Sequence, residues 1–313
     1  MESMIERILK NLKISINKTN MKKIIITGGA GFIGTHMSNF LIKKNYKVKI
    51  IDNLIYGNKK NINKKAIFKR GNIGNKKFLV KEFKGYDAVI HLAAMSRSGP
   101  SDKEIDICLN QNTIGTKNVL EASRINKIKK LIYAGSATFY GNQKGNLKEK
   151  TKGDFFNPYS LSKYFGEELC LFYNKKKYVN CNVMRYFNVY GKGQPSKGIY
   201  ALVIGIFLSQ KKLGKPLIIY GDGKQSRDFV HVNDVVNANY KALLSNLTGE
   251  VFNVGFGKNY TINFLASLIS SNIKHTKKRE GEARETLANI ANIKKKLNWE
   301  PKIDIKTGLS LTI

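Results

Sequence analysis

Tyr159 and Lys163 stand four residues apart in NPYSLSKYFGE, so on a helix their side chains share one face. An ammonium beside a phenol favours phenolate, which would bring a tyrosine from its usual pKa of about 10 toward the range of a working base. A serine hydroxyl within reach would complete a proton-transfer set. Ser136 is the candidate, because it ends the run KKLIYAGSA where the chain leaves a predicted strand. A Tyr–Lys pair on a solvated helix face and a serine that merely caps a turn are the ordinary alternatives.

A second set lies near the start of the chain. TGGAGFIG places Gly28, Gly31 and Gly34 between the strand KKIIITGG and the helical FIGTHMSNFLIKKN. Glycines at a strand-to-helix turn let a pyrophosphate approach the backbone, and the free N–H groups of the helix then bind it. Asp52 ends the next strand, YKVKIIDN. A carboxylate there accepts hydrogen bonds from both ribose hydroxyls and repels a 2′-phosphate, which predicts NAD over NADP. The alternative is that Asp52 only starts the turn DNLIYGN.

The elements that must hold these residues alternate. After the first βαβ unit come AIFKRGNI, helical KKFLVKEF, the strand YDAVIHLAA, a helix around NTIGTKNVLEASRIN, the strand KKLIYAGSA, the helix YSLSKYFGEELCLFYNKKK and the strand NVMRYFNVYG. Apolar strands separated by helices indicate an α/β fold with a doubly wound parallel sheet of Rossmann type. The predicted organisation is a helical N-terminal extension over 1–20, a dinucleotide-binding domain over 21–190 and a smaller substrate lobe over 191–313. Part of 228–255 is expected to pack back on the first domain. No repeat of 20 to 50 residues is visible.

Composition excludes several classes. With 313 residues, 42% hydrophobic and 25% charged, the chain can bury a large core and is not disordered as a whole. No apolar run is long enough to span a bilayer, so neither a membrane protein nor a membrane partner is expected. Cys108, Cys170 and Cys181 are odd in number and far apart, as reduced thiols of a cytoplasmic protein would be. The four histidines lack metal-ligand spacing, so no metal is expected. The formal net charge of +33 invites a nucleic-acid reading. The lysines, however, fall in short clusters dispersed along the chain, several near predicted helix C-termini, and form no single basic stripe interleaved with aromatics.

TGGAGFIG, DNLIYGN, HLAA, NTIGTKNVLEAS, GSATFYG, NPYSLSKYFGEE, RYFNVYG, GDGKQSRDFVHVNDV and LNWEP together resemble an extended short-chain dehydrogenase/reductase of the NAD-dependent sugar-nucleotide epimerase/dehydratase family, from about Met21 to the C-terminus. The dehydratases and decarboxylating members resemble one another in carrying a Glu two residues before the Tyr-Gly that is Tyr140-Gly141 here. This chain has Thr138 at that place, so no general acid is evident for expelling a hydroxyl, and the pattern is similar to that of the 4-epimerases.

The resemblance implies that Tyr159 takes the proton of a sugar 4-hydroxyl held by Ser136 with Thr138, while Lys163 lowers the tyrosine pKa and binds the nicotinamide ribose. It implies NAD contacts at Gly28, Gly31, Phe32, Ile33, Gly34, Asp52, Asn53, Asn72, Ile73, Leu92, Ala93, Ala94, Asn112 and Tyr186. For a UDP-sugar it implies Asn188 at the diphosphate linkage, Arg227 and Arg279 clamping the diphosphate, and Tyr220 and Val203 beside uracil. At Thr286 a small residue replaces the bulky Tyr of epimerases restricted to unacetylated hexoses, which implies room for a 2-acetamido group. Apolar residues on more than one face of the Tyr159 helix, Phe165, Leu169, Leu171 and Phe172, suggest the homodimer that family relatives form. A UDP-uronate 4-epimerase is the second enzymatic reading. A non-catalytic RNA-binding protein of the same fold is the third, for which only the charge argues.

Overall fold

The computed structural model describes residues 21–96, 98–196, 201–278 and 283–312. The extension over 1–20 and Arg279 lie outside the described residues.

Seven strands form the central sheet: β1 (Lys23–Thr27), β2 (Lys47–Asp52), β3 (Ile67–Arg70), β4 (Ala88–His91), β5 (Lys130–Ser136), β6 (Cys181–Tyr186) and, from late in the chain, Glu250–Val254. Their order is β3-β2-β1-β4-β5-β6 with Glu250–Val254 beside β6, and every pairing is parallel. This is the doubly wound sheet expected from the alternating pattern. The strand order reverses between β1 and β4, and in such sheets that reversal opens a crevice at the strands' C-terminal ends.

Each strand is apolar on both faces because each face is covered. Ile24, Ile26, Ile50, Ile90, Ile132 and Met184 enter one core, while Ile25, Ile51, Val89, Leu131, Tyr133 and Val183 enter the other. That two-residue alternation between cores is the strand period. The helices in chain order are α1 (Phe32–Lys43), α2 (Lys76–Phe83), α3 (Ser98–Lys103), α4 (Ile105–Leu109), α5 (Gly115–Ile125), α6 (Pro158–Lys175), α7 (Val203–Lys212), α8 (Val232–Leu244), α9 (Ile262–Ser267), α10 (Ala291–Leu297) and α11 (Ile305–Ser310). A wider π-turn, Asn110–Ile114, joins α4 to α5.

The helix that carries Tyr159 has a strong start. Asn157 caps it, accepting from Ser160 N–H at 2.9 Å while the Ser160 side chain answers the Asn157 N–H, and Pro158 occupies the first turn. Such a cap is worth about 1 kcal/mol and fixes where the helix begins, hence where Tyr159 falls.

The second half builds small sheets over the crevice. β7 (Asn188–Tyr190) pairs with β9 (Ser226–His231), which pairs antiparallel with β11 (Asn259–Thr261), and β8 (Leu217–Tyr220) pairs with β12 (Ile273–Thr276). The remaining strand of the series, β10, is Glu250–Val254 of the main sheet. A separate apolar cluster centred on Tyr190, Phe207, Ile219, Phe229 and Leu265 supports this part.

Candidate active site

The glycine turn is set by close contacts. Gly28 has φ +71°, and a Cβ there would lie 2.6 Å from the Ala93 nitrogen; one at Gly34 would lie 2.3 Å from the Gly28 oxygen. Gly31 is different, since its Cβ would meet only the Gly28 oxygen at 3.4 Å. Gly31 also caps α1 without any side-chain hydrogen bond, and the first turn, opened by Phe32 and Ile33, holds no acidic residue. An uncapped helix N-terminus behind a glycine backbone fits a pyrophosphate.

Asp52 closes its turn and also reaches the glycine loop. Oδ1 accepts from Leu54 N–H at 2.8 Å, closing the turn, and Oδ2 accepts from Ala30 N–H at 3.0 Å in the glycine loop. The carboxylate is thereby aimed, and each oxygen keeps a second lone pair for a ribose hydroxyl. Asn53 accepts from Ile55 N–H and continues the same turn. Asn72 likewise turns its oxygen to Gly74 N–H at 2.8 Å, and Ile73 is buried against Gly115. These residues fit NAD: backbone for the diphosphate and an oriented carboxylate for the ribose diol.

Leu92, Ala93 and Ala94 leave β4 directly against the glycine turn, with Leu92 N–H donating to Thr27 O at 3.0 Å. Beneath them runs a chain of hydrogen bonds the sequence did not announce. The Thr116 hydroxyl donates to Asn112 O at 2.6 Å, so it must accept from His91 Nε2–H at 2.9 Å, and Nδ1 then accepts from the Thr27 hydroxyl at 2.7 Å. Burial, followed by the Lys163 charge, pushes the His91 imidazole down to about 3. It is a neutral strut.

Asn112 is buried, and its side chain is engaged by protein. Oδ1 accepts from Met95 N–H at 2.8 Å, while Nδ2 donates to Met95 O at 3.0 Å and Ser162 Oγ at 2.9 Å. It is therefore a bracket between the loop after β4 and α6. The Tyr186 hydroxyl donates to Asn239 in α8 at 2.8 Å, which fixes its ring at the end of β6.

The reacting groups meet at the end of β5. Ser136 Oγ lies 2.8 Å from Thr138 Oγ1 and accepts from Thr138 N–H at 3.2 Å, and its hydroxyl is near enough to the Tyr159 phenol to lower the phenol's pKa. Tyr159 keeps part of its surface exposed, but its hydroxyl is surrounded by protein. Burial pushes the phenol up, and the Ser136 hydroxyl pulls it partly back.

The expectation that Lys163 lowers this pKa needs revision. The Lys163 ammonium sits over the Tyr133 ring at 4.3 Å, and burial pulls its own pKa down to about 8. In this arrangement the main influences on Tyr159 are burial, Ser136 and the Cys108 thiol. Pairing on one helix face has not produced direct contact.

On the substrate side, Asn188 Nδ2 donates to Asp228 O at 3.0 Å and approaches Thr286 Oγ1 at 3.4 Å; Asp228 N–H donates to that same hydroxyl at 3.2 Å. Asn188 and Thr286 thus stand side by side. Asp228 was missed. Its buried carboxylate accepts from Phe256, Gly257 and Ala288 N–H at 2.6, 2.9 and 3.1 Å, tying three segments together. Arg227 is half-buried beside it on β9 and donates to Ser226 O. Val203 opens α7, and Tyr220 ends β8 on the surface. Tyr220 lines a cavity of about 280 Å³ with Asn142, Lys144, Lys278 and Arg284. Ser136 and Tyr159 are not among its lining residues.

A glycine-turned, doubly wound sheet with a Ser-Tyr-Lys set at the crevice defines an NAD-binding enzyme of the extended short-chain type. Residues 24–255 match the NAD dependent epimerase/dehydratase family, and the chain belongs to it. A Methanocaldococcus jannaschii protein that carries a UDP-glucose 4-epimerase assignment is 40% identical over 93% of this chain and 97% of its own. A UDP-glucuronate 4-epimerase of Thermodesulfobacterium geofontis is 34% identical over 92% and 94%. The UDP-N-acetylglucosamine 4-epimerase of Methanobrevibacter ruminantium M1, solved with UDP-N-acetylmuramic acid, superposes with a TM-score of 0.88 at 32% identity, covering 93% of this chain and 98% of that one. The chain is an NAD-dependent sugar-nucleotide epimerase by family.

Proposed function

We propose that the protein inverts C4 of a UDP-hexose, UDP-N-acetylglucosamine/UDP-N-acetylgalactosamine or UDP-glucose/UDP-galactose, through a 4-keto sugar. The observation that carries this reading is the convergence of Ser136, hydrogen bonded to Thr138 at the end of β5, on the Tyr159 phenol, with Thr138 where a dehydratase would need an acid. Bound NAD supplies the hydride acceptor and donor for C4. Ser136 and Thr138 hold the 4-hydroxyl, and Tyr159 removes its proton and returns it. Lys163 binds the nicotinamide ribose, and the positive charge of the nicotinamide offsets the burial that now holds the phenol high.

The glycine turn, Asp52 and the Asn72-Ile73 pair hold the dinucleotide. Arg227 and Arg279 take the diphosphate as forked donors, Asn188 its junction with the sugar, and Tyr220 and Val203 the uracil. Thr286 supports acceptance of the 2-acetamido sugar, because its small side chain stands in the wall beside Asn188. A UDP-uronate is the second substrate class.

Phe165 and Phe172 on α6 are 40% and 49% exposed, and Ile105 and Ile114 along the neighbouring helices 48% each. We assign this apolar face to a two-fold partner, as a homodimer. We place the enzyme in the cytoplasm, where three buried, unpaired cysteines remain reduced. No helix among the described residues is long and apolar enough to cross a membrane.

Running the reaction in deuterium oxide tests the chemistry. C4 inversion by hydride return leaves C4 free of solvent deuterium, whereas proton abstraction at carbon would incorporate it, and incorporation would overturn the mechanism.

A further inference from the structure

Ser136 and Thr138 stand at the end of β5, and Tyr159 arrives only after a 20-residue excursion on the start of α6. Nothing in the local chain fixes the gap between them. Buried side chains join the two pieces: Tyr133 on β5 donates to Lys163 O on α6 at 3.1 Å, and Arg185 reaches both from the neighbouring strand. Arg185, on β6, is registered with Gly135, the neighbour of Ser136. Its Nε donates to Glu167 Oε2 at 3.0 Å and its Nη2 to Glu167 Oε1 at 2.5 Å, a two-bond fork into α6. Nη1 donates to the Tyr140 hydroxyl at 2.9 Å and to Glu149 O at 3.0 Å. The guanidinium plane lies 3.7 Å from the centre of the Phe139 ring, the residue after Thr138.

Glu167 stands one helical turn beyond Lys163, two beyond Tyr159, on the same face of α6. Gly135 leaves room for the Arg185 stem on the adjoining strand: a Cβ there would lie 2.9 Å from Val183 Cγ1 and 3.2 Å from Arg185 Cγ. The Tyr140 hydroxyl passes the connection on to Asn253 Oδ1 at 2.6 Å, on the adjacent edge strand.

A buried ion pair adds little stability compared with apolar residues of the same volume, because desolvating both charges offsets their attraction. What it supplies and an apolar pair cannot is direction: a planar fork has one orientation toward a carboxylate. We propose that Arg185 is a positioning residue for the C4 chemistry, its guanidinium setting the distance between the Ser136–Thr138 turn and the Tyr159 helix. This rests on the epimerase reading for its kinetic consequence and on geometry alone for its structural one.

The test replaces both charges, as Arg185→Met with Glu167→Met, so that no unpaired charge is left buried. The expected result is a folded protein that retains NAD and keeps KM within about threefold, with kcat reduced roughly tenfold to a hundredfold, the scale on which small misplacements act. A second readout needs no substrate. The Tyr159 phenol faces Ser136 and Tyr133 from β5 and Cys108 from α4, with Lys163 on the same face of its own helix. Relaxing the gap removes the lowering influence of Ser136. The phenol titration, read as the ultraviolet difference between each protein and its Tyr159→Phe counterpart, then moves to higher pH while the other three neighbours stay in place.

An unchanged phenol titration overturns the proposal whatever the rate does. If the double variant does not fold, Arg185→Lys, which keeps the charge and loses the fork, is judged by the same two readouts. A wild-type enzyme that inverts no UDP-hexose overturns the functional reading instead and leaves the phenol titration to decide this one.

Discussion

The two walls of the crevice are built differently. The cofactor wall consists of backbone held by neutral groups: glycines pressed on Ala93 and on each other, His91 between two threonines, and Asn112 across Met95 and Ser162. The substrate wall hangs on a buried carboxylate, Asp228, whose three backbone bonds gather Phe256, Gly257 and Ala288 and whose own amide orders Thr286. The first kind of wall can admit a partner common to many enzymes with little adjustment. The second is assembled from distant segments, and a change in any of them alters what it recognises.

That contrast predicts which variants separate the two functions. The largest effect falls between the walls. Tyr159→Phe keeps both surfaces but removes the proton carrier, so kcat should drop about a thousandfold while NAD stays bound, read by steady-state rates and the nucleotide released on denaturation. Gly34→Ala attacks the cofactor wall alone. The added methyl has nowhere to go but the Gly28 carbonyl, and NAD affinity should fall by roughly 30-fold or more, measured by titration calorimetry, with UDP affinity unchanged. Asp228→Asn attacks the substrate wall. One of its two oxygens becomes a donor facing backbone N–H groups, so KM for the UDP-sugar should rise about tenfold with the bound NAD unaffected. A variant at either place that moved both affinities equally would erase the distinction.

The smallest effect concerns pH. His91 is neutral in the folded protein down to about 3, whereas an unfolded histidine titrates near 6.5. Between those values the unfolded chain binds one more proton, so stability falls as pH drops through that window, by roughly 2 kcal/mol at pH 5. His91→Asn should flatten this slope in urea unfolding at a series of pH values, and an unchanged slope would show that the strut does not sit neutral.

The same contrast explains what could be read from the sequence. Gly28, Gly34 and Asp52 were legible as candidates because each sits in a short turn motif where a strand ends. Ser136, Tyr159 and the doubly wound parallel sheet followed from alternation and from the place where each strand ends. Asp228, His91 and Arg185 were not legible, because their partners lie 28 to 60, 25 to 64 and 18 to 45 residues away and no periodicity records such bonds. Glu167 did leave a trace, standing one turn past Lys163, but a carboxylate at that spacing is equally suited to solvent. The bracing contacts of Asn112 were not legible for a related reason. An asparagine that reaches toward a ligand and one that braces a loop have the same one-letter signature, and only its contacts with Met95 and Ser162 distinguish them. For Lys163, four-residue spacing placed the two side chains on one face but could not foresee that the Tyr133 ring would take the ammonium.

The central claim is C4 inversion of a UDP-hexose, and product identity tests it most directly. Purified enzyme incubated separately with UDP-N-acetylglucosamine, UDP-glucose and UDP-glucuronate, with products followed by proton NMR of the sugar ring, should convert the acetamido sugar, or the acetamido sugar and glucose together, to the 4-epimer until both epimers stand at equilibrium, with no net NADH. Conversion of the uronate alone, accumulation of a keto sugar, or no 4-epimer from any of the three would contradict it.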